Sequence, residues 1–398
     1  MNFLILSVTA GEGHNSTAKA IKADLEKYDA SAEILDTFAY ISPELAKLIA
    51  DGYLLVTEKA QGAYRIGYRL AEKRRITGER LDTMRMASAA LSKELVDYIR
   101  SEDYAAVVFT HPFAGMLLNV MKKRRLIENR TVGILTDFTF HPFWEDNTAN
   151  DYVVVPDKLL LPQARTKGFR DSQILPFGIP INPNFRKTGD KKEARAKLGL
   201  DPEKTTFLLR GGSMGYGNME DLAARILGID VERDFQLIAV AGRNEETKAA
   251  LEKLAARSQR KLLVTGFVDY VSMLMDASDC IVTKPGGLTT SESLAKTLPM
   301  IIVNPIPGQE ERNTEFLLNN GCAMATSVTV PIEECIYQLL MSDVRLDAMR
   351  ACIRGVAKPD SAGELSRFLL NLAHTPRMEA YDPADQGEDE FVFLPEKE

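Results

Sequence analysis

The sequence predicts an α/β protein with two doubly wound domains that face each other across a cleft. Three observations predict this fold. Short apolar runs alternate with helical patterns in the first half, the alternation returns from Thr205 onward, and a glycine-rich loop follows the first strand of each half. The stretch between the halves, residues 178–183, is rich in proline and glycine and is typical of a hinge. The predicted domains are therefore 1–182 and 183–360.

The first half begins with a strand, a glycine loop and a helix. Residues 2–8 form an apolar run typical of a buried strand, residues 9–16 contain the glycines, and residues 17–28 have apolar side chains at helical spacing. Loops that follow parallel strands meet at one edge of a sheet, where open α/β sheets bind ligands. The remaining elements predicted here are strands at 32–36, 105–109, 131–135 and 152–155 and helices at 91–100 and 113–123.

Residues 42–91 depart from this alternation and predict a long, mostly helical insertion. Between Arg65 and Arg85 there are seven bases against three acids, in a chain whose net charge is −7. A basic, aromatic, amphipathic segment fits anionic lipid headgroups, at roughly 1 kcal/mol per base near such a surface. A solvated helical face is the alternative interpretation. The residues assigned to the acceptor and membrane side are Gly13, Arg65, Arg69, Arg74 and Arg75.

The second half repeats the alternation and ends in two helices and an acidic tail. The final helix, 361–374, carries Leu365, Leu369 and Leu372, and we expect it to pack back across the hinge on the first domain. Residues 375–398 are predicted to form a mobile tail, with eight acids against two bases from Arg377 onward. The other predicted elements are strands at 206–209, 236–240, 262–265, 280–282, 300–303 and 323–328 and a helix at 330–354.

The stretch from Asp279 to Asn313 offers groups for a phosphate and for sugar hydroxyls. The turn 284–287 contains two glycines and leads into a helix, whose N-terminal N–H groups favour a bound diphosphate. After the next strand, a proline-rich loop is predicted to present Gln309, Glu310 and Asn313, whose side chains suit hydroxyl groups. An ordinary strand, turn and helix with a polar loop is the alternative.

Composition narrows the class of protein. The chain has 398 residues, 45% of them hydrophobic, which is enough for two domains with separate cores. The negative net charge argues against a nucleic-acid binder. The four cysteines form no Cys-x-x-Cys pair and predict reduced core or near-core thiols, and no His/Cys cluster has zinc spacing. No window of about 18 uncharged apolar residues predicts a membrane-spanning helix.

Several motifs resemble one family. Together with the two similar domains and the hinge, the pattern resembles the monogalactosyldiacylglycerol synthase and processive diacylglycerol glucosyltransferase family, over about residues 1 to 370. That resemblance implies the GT-B architecture of two Rossmann-like domains. The motifs are Gly11-Glu12-Gly13-His14 with Ala18-Lys19-Ala20, Thr136-Asp137-Phe138, Gly178-Ile179-Pro180-Ile181, Thr283-Lys284-Pro285-Gly286-Gly287, Glu292 and Pro307-Gly308-Gln309-Glu310.

The resemblance implies transfer of a hexose from a UDP-sugar to diacylglycerol, with inversion at the anomeric carbon. His14 is the predicted general base, because an imidazole near its ordinary pKa suits proton abstraction at neutral pH. A helix cap or a loop contact is the alternative role for His14. Asp137 is predicted to orient His14, bind the acceptor or serve as the base, with a helix cap as its alternative. His111 and His141 each precede a proline, which favours a structural role for both.

The donor site implied by the resemblance lies in the second domain. The N–H groups at the start of the helix after residue 286 are predicted to hold the diphosphate, with Ser213 as a further donor. Glu292 is assigned to the ribose, the backbone near Phe267 to the uracil, and Gln309 with Glu310 to the hexose. The full predicted donor set is Gly212, Ser213, Arg243, Phe267, Val268, Lys284, Pro285, Gly286, Gly287, Leu288, Thr289, Glu292, Gln309, Glu310 and Asn313.

The expected partners are a UDP-hexose, diacylglycerol and anionic membrane lipids, with no nucleic acid, no metal and no cofactor other than the UDP-sugar substrate. The predicted location is cytoplasmic, peripheral on the inner face of the cell membrane. Three alternatives stay open at this point. They are a UDP-GlcNAc-type transferase on the same fold, a UDP-sugar 2-epimerase that needs no lipid, and a non-catalytic sensor of UDP-sugars.

Overall fold

Two six-stranded parallel sheets organise the protein. The computed structural model describes residues 1–9, 12–41, 94–186, 188–211 and 218–375. Within these residues the twelve strands, numbered β1 to β12 in chain order, are Asn2–Ser7, Ser31–Asp36, Tyr104–Phe109, Arg130–Ile134, Tyr152–Val154, Ile174–Leu175, Thr205–Arg210, Phe235–Val240, Leu262–Thr265, Cys280–Thr283, Met300–Ile302 and Ala323–Ala325. The first sheet has the strand order β2-β1-β3-β4-β5-β6 and the second the order β12-β11-β10-β7-β8-β9.

Helices cover both faces of each sheet, which is why the central strands read as continuous apolar runs. β1 and β8 are almost entirely buried along their length. The described α-helices, numbered α1 to α14, are Glu12–Leu25, Thr37–Ile41, 94–101, Pro112–Lys123, Leu161–Thr166, Lys191–Lys197, Met219–Leu227, Glu245–Arg257, Val271–Asp276, Gly287–Ala295, Gln309–Asn319, Ile332–Leu340, Asp343–Val356 and Ser361–His374.

Each sheet has one switch point, at which successive strands begin to be added on the opposite side of the first strand. In the first sheet β2 and β3 lie on opposite sides of β1, and in the second β8 and β10 lie on opposite sides of β7. The crevice at such a switch point is where doubly wound sheets bind ligands. The loops after β1 and β3 in one domain, and after β7 and β10 in the other, are therefore the segments to inspect for a site.

Several predicted boundaries were wrong. Helix α1 begins at Glu12, so His14 lies in the first helical turn rather than on a loop. The Asn15 side chain accepts from Ser7 Oγ at 2.6 Å and donates to Thr9 Oγ1 at 3.2 Å. The predicted helix at 330–354 is two helices that break before Asp343, and the predicted loop at Gln309 is the start of α11.

The hinge brings the final helix back to the first domain. Gly178 has a φ of +93°, and a Cβ there would meet Lys358 Cβ at 2.5 Å, so only glycine fits this position. Ser361 Oγ donates to the carbonyl of Ile179 at 2.8 Å. The leucines of α14 then pack on the first sheet, in the same core cluster as Phe3 and Ile5 of β1.

The predictions about cysteines, membrane-spanning helices, metal ligands and the basic insertion have different outcomes. Cys280, Cys322 and Cys335 are buried and Cys352 is exposed, so the expectation of core thiols fails for Cys352; all four are free. None of the helices in the described ranges has the length and apolar character to cross a bilayer. The same ranges group no three His, Cys, Asp or Glu side chains as metal ligands. The basic insertion, with Arg65, Arg69, Arg74 and Arg75, and the tail from 376 lie outside the described residues.

Candidate active site

His14 lies at the switch point of the first sheet, held by the end of β3. Its Nδ1 is 2.6 Å from the carbonyl oxygen of Thr110 and 3.4 Å from Thr136 Oγ1. A carbonyl oxygen only accepts, so we assign the proton to Nδ1 and the lone pair to Nε2. Its first-turn neighbour Gly13, which we assigned to the acceptor side, is half-buried, and a Cβ there would meet no atom within 4 Å.

Burial keeps the His14 imidazole neutral. It lowers the pKa of His14 to about 4, and the hydrogen bond to the Thr110 carbonyl opposes this shift only in part. A neutral imidazole with its lone pair on Nε2 can accept a proton at physiological pH. The arrangement therefore has the protonation state that a general base needs.

Asp137 does not touch His14 through any described hydrogen bond; it is held by Asn313 of the other domain. Asn313 Nδ2 donates to Asp137 Oδ1 at 2.9 Å and to the carbonyl of Pro285 at 2.9 Å, while its Oδ1 accepts from Phe138 N at 2.7 Å. Burial raises the pKa of Asp137, and the bond from Asn313 opposes that rise. We predicted Asn313 to bind hexose hydroxyls. It is fully buried instead, with one N–H bound to Asp137 of the first domain and the other to the Pro285 carbonyl of its own domain.

The predicted diphosphate turn, residues 284–287, meets the first domain at Thr136. A Cβ on Gly287 would lie 1.9 Å from the carbonyl oxygen of Thr136 and 3.2 Å from the Cα of Asp137. Gly287 opens α10, with Gly286 as its N-cap. Because the Thr136 side chain lies near His14 and its carbonyl lies against Gly287, a single residue joins the predicted base to the predicted diphosphate turn.

Glu310 and Lys284 lie beside that turn. Glu310 Oε2 accepts from Ile306 N at 2.6 Å, and its Oε1 would be 3.8 Å from a Cβ on Gly286. Burial raises the pKa of Glu310, while the charge of Lys284 and the Ile306 N–H act against the rise. This carboxylate therefore borders the turn, with a cation close by. Gln309, the first residue of α11, is half-buried.

Glu292, predicted to bind ribose, is paired with a residue that we did not predict. Arg210 Nη1 lies 2.8 Å from Glu292 Oε2 and 3.5 Å from Thr289 Oγ1. Both charged side chains are largely shielded from water. Arg210 is the last residue of β7, directly across the switch point from β10, and Thr283 Oγ1 donates to its carbonyl at 3.1 Å. A single base at the end of an apolar run, just before a glycine loop, was the signal that could have identified it.

The remaining predicted donor residues divide into placed and unplaced groups. The guanidinium of Arg243 lies over the Phe267 ring, 4.5 Å from its centroid, and Phe267 is 60% exposed. Val268 and Leu288 are partly buried and pack on the second domain's core. Gly212 and Ser213 lie outside the described residues. The structure therefore describes Phe267 and Val268 of the predicted uracil segment, but not Gly212 and Ser213, which were predicted to lie near the diphosphate.

The chain matches known proteins over both halves. A family model described as monogalactosyldiacylglycerol (MGDG) synthase matches residues 14–181, and one described as the glycosyltransferase family 28 C-terminal domain matches residues 206–364. The processive diacylglycerol beta-glucosyltransferase of Bacillus licheniformis is 26% identical over 386 residues, covering 94% of this chain and 98% of that protein. Its counterpart in Bacillus cytotoxicus is 28% identical, covering 96% and 97%.

One family model over each half, together with relatives similar over nearly the whole chain, supports the monogalactosyldiacylglycerol synthase and processive diacylglycerol glucosyltransferase family. Solved structures agree with the GT-B fold of this glycosyltransferase family. Acinetobacter baumannii MurG aligns with a TM-score of 0.60 at 14% identity, covering 93% of this chain and 99% of that one. A Staphylococcus aureus MnaA–UDP complex aligns at 0.58 and 13% identity, covering 96% and 100%. At these identities the likeness establishes the fold alone.

In this glycosyltransferase we expect Asn313→Ala to weaken the contact between the two domains and so to destabilise the protein. The substitution removes three hydrogen bonds and leaves buried partners unpaired, at about 1 kcal/mol or more each. The free energy of unfolding in urea should fall by about 3 kcal/mol. Asn320→Ala is the matched control. Asn320 caps the same helix but bonds only within it, to the Phe316 carbonyl. Equal losses for the two variants would contradict the inter-domain role.

Proposed function

We propose that the protein transfers a hexose from UDP-glucose or UDP-galactose to the free hydroxyl of diacylglycerol, with inversion, at the cytoplasmic surface of a membrane. The observation that carries this proposal is the junction at Thr136, where the neutral His14 and the N-terminal turn of α10 come together. Relatives named as diacylglycerol glucosyltransferases support the lipid acceptor. A structural neighbour solved with UDP supports a UDP-linked donor.

The proposed step is a single displacement. The acceptor hydroxyl gives its proton to His14 Nε2 as its oxygen bonds to the anomeric carbon, and the bond from that carbon to the diphosphate oxygen breaks. The electron pair leaves with UDP. His14 becomes an imidazolium, and its Nδ1–H keeps its bond to the Thr110 carbonyl. Inversion follows from attack on the face opposite the leaving group.

The leaving diphosphate needs positive potential, which α10 supplies. The first N–H groups of a helix have no acceptor within the helix, and its N-terminus carries a partial positive charge. In α10 these belong to Gly287, Leu288 and Thr289. Lys284 lies near Glu310 beside this turn, and Arg210, which is paired with Glu292, reaches Thr289 Oγ1 at 3.5 Å. The proposal includes no metal and no cofactor beyond the UDP-hexose itself.

The test is UDP release by purified protein in the presence of vesicles. We expect release with UDP-glucose or UDP-galactose only when the vesicles contain diacylglycerol, and mass analysis should find hexosylated lipid. Raising the anionic lipid fraction should increase the rate if the basic insertion contacts the surface. Three results would contradict the proposal: release of UDP without lipid product, epimerisation of UDP-GlcNAc without vesicles, or nucleotide binding with no turnover.

A further inference from the structure

Two His-Pro-Phe tripeptides occupy similar positions at the carboxyl edge of the first sheet. They are 111–113, directly after β3, and 141–143, beyond β4. In each, the histidine Nδ1 accepts a hydrogen bond from the phenylalanine N–H, at 3.2 and 3.3 Å, and the proline opens a helix. The two phenyl rings pack 5.2 Å apart. Both histidines cap helices, in line with the structural role predicted for them, yet their surroundings differ.

His111 also contacts the predicted base. Its ring centroid lies 4.6 Å from that of His14, with the planes inclined by 69°. The residue before it, Thr110, accepts the His14 Nδ1–H. Two consecutive residues at the end of β3 therefore hold one imidazole, the first by a hydrogen bond and the second by an edge-to-face ring contact. The described ring contact of His141 is with Phe143, at 4.7 Å.

We propose that His111 is a positioning residue for the transfer reaction, because its ring fixes the orientation of His14 and shields that imidazole from water. This inference rests on the proposed function, in which His14 is the base. One hydrogen bond to a carbonyl leaves the imidazole able to swing about the Nδ1–O line. An edge-to-face ring restrains that swing, since aromatic pairs prefer this arrangement. When His14 takes the acceptor's proton it becomes a cation, and a neutral His111 ring beside it adds no opposing charge.

Among the residues that the structure describes, few charged groups act on the pair. Burial, and then the charges of His14 and His141, hold the pKa of His111 well below its usual range. Beyond His141 lies Lys167, which is paired with Glu145 at 2.8 Å. His111 is therefore neutral beside His14, and its Nδ1 lone pair is already engaged in capping α4. It does not compete with His14 for the acceptor's proton.

The experiment compares His111→Asn with His141→Asn. Asparagine is a favoured N-cap, so both variants keep a side-chain acceptor for their helix while losing the ring. We expect His111→Asn to lower kcat about five- to tenfold, with the KM for the UDP-hexose unchanged. It should also admit water to His14 and move the acid limb of kcat/KM upward from about pH 4 toward the ordinary histidine value. His141→Asn should match the wild type in kcat and pH profile.

A third variant separates the ring from the cap. His111→Phe keeps an aromatic ring but loses the Nδ1 acceptor, so we expect lower thermal stability with kcat closer to the wild type than in His111→Asn. Equal kcat values and pH profiles for His111→Asn and His141→Asn would overturn the proposal. A wild-type protein that transfers no hexose in this assay would instead contradict the proposed function, so the two failures are distinguishable.

Discussion

His14→Asn should strongly reduce transfer while leaving the fold and UDP binding intact. In the wild type His14 Nδ1 lies 2.6 Å from the Thr110 carbonyl oxygen. The asparagine amide can make the same donation, but it has no lone pair at the position of Nε2. Loss of a general base costs about 10²- to 10⁴-fold in rate. We therefore expect kcat to fall by about that factor in the vesicle assay, with the affinity for UDP unchanged in calorimetry.

The pH dependence of the wild type gives a second test of His14. Because burial lowers its pKa to about 4, the base is unprotonated above that pH and becomes protonated, and so inactive, as pH falls through about 4. The kcat/KM profile should therefore be flat on its acid side from pH 8 down to 5, rather than breaking near 6.5. A break near 6.5 that persists in His14→Asn would assign the titration to another group. Residual transfer by His14→Asn within a few-fold of the wild type would exclude His14 as the base.

The fold could be predicted because buried parallel strands and glycine turns leave a direct record in the sequence. Strands such as Leu262–Thr265 were predicted to the residue, since an apolar run ends where the chain leaves the core. The short strand Ile174–Leu175 was missed because two residues carry no periodic pattern. The start of α1 was misplaced because residues 9–16 contain two glycines and were interpreted as a loop, whereas the helix already begins at Glu12.

For the candidate site, the sequence predicted the loops but not the contacts between them. His14 and Asp137 were named through the family motifs and the turn at Gly287 through its glycines, and each of these segments follows a parallel strand. The contacts between them join residues far apart in the chain: Asn313 reaches Asp137 across 176 positions and Arg210 reaches Glu292 across 82. A single sequence contains no measure of such pairing. For this reason Asn313 was assigned to a sugar and Arg210 was overlooked.

Gly287→Ala should prevent the domains from meeting and reduce transfer by about 100-fold. The new Cβ would lie 1.9 Å from the Thr136 carbonyl oxygen, more than 1 Å inside the closest real contacts, and its obstacle is backbone that cannot rotate away. The domains must then shift apart, and a displacement of about 1 Å at a reacting centre can cost about 10²-fold in rate. The Phe138 N–H, bonded to Asn313 at 2.7 Å, should lose protection in hydrogen exchange as the domains separate.

Alanine substitutions at two other glycines, Gly286 and Gly355, serve as controls for Gly287→Ala. A Cβ on the neighbouring Gly286 would meet only Glu310 Oε1, at 3.8 Å, which is an ordinary contact, so Gly286→Ala should lose far less activity than Gly287→Ala. Gly355 lies on α13 with nothing within 4 Å of its added Cβ, and Gly355→Ala should leave both activity and exchange unchanged. If the active enzyme contains the close approach of Thr136 to Gly287, Gly287→Ala should lose much more activity than the other two variants. Comparable transfer rates for Gly287→Ala and Gly286→Ala would mean that catalysis does not depend on the contact between Thr136 and Gly287.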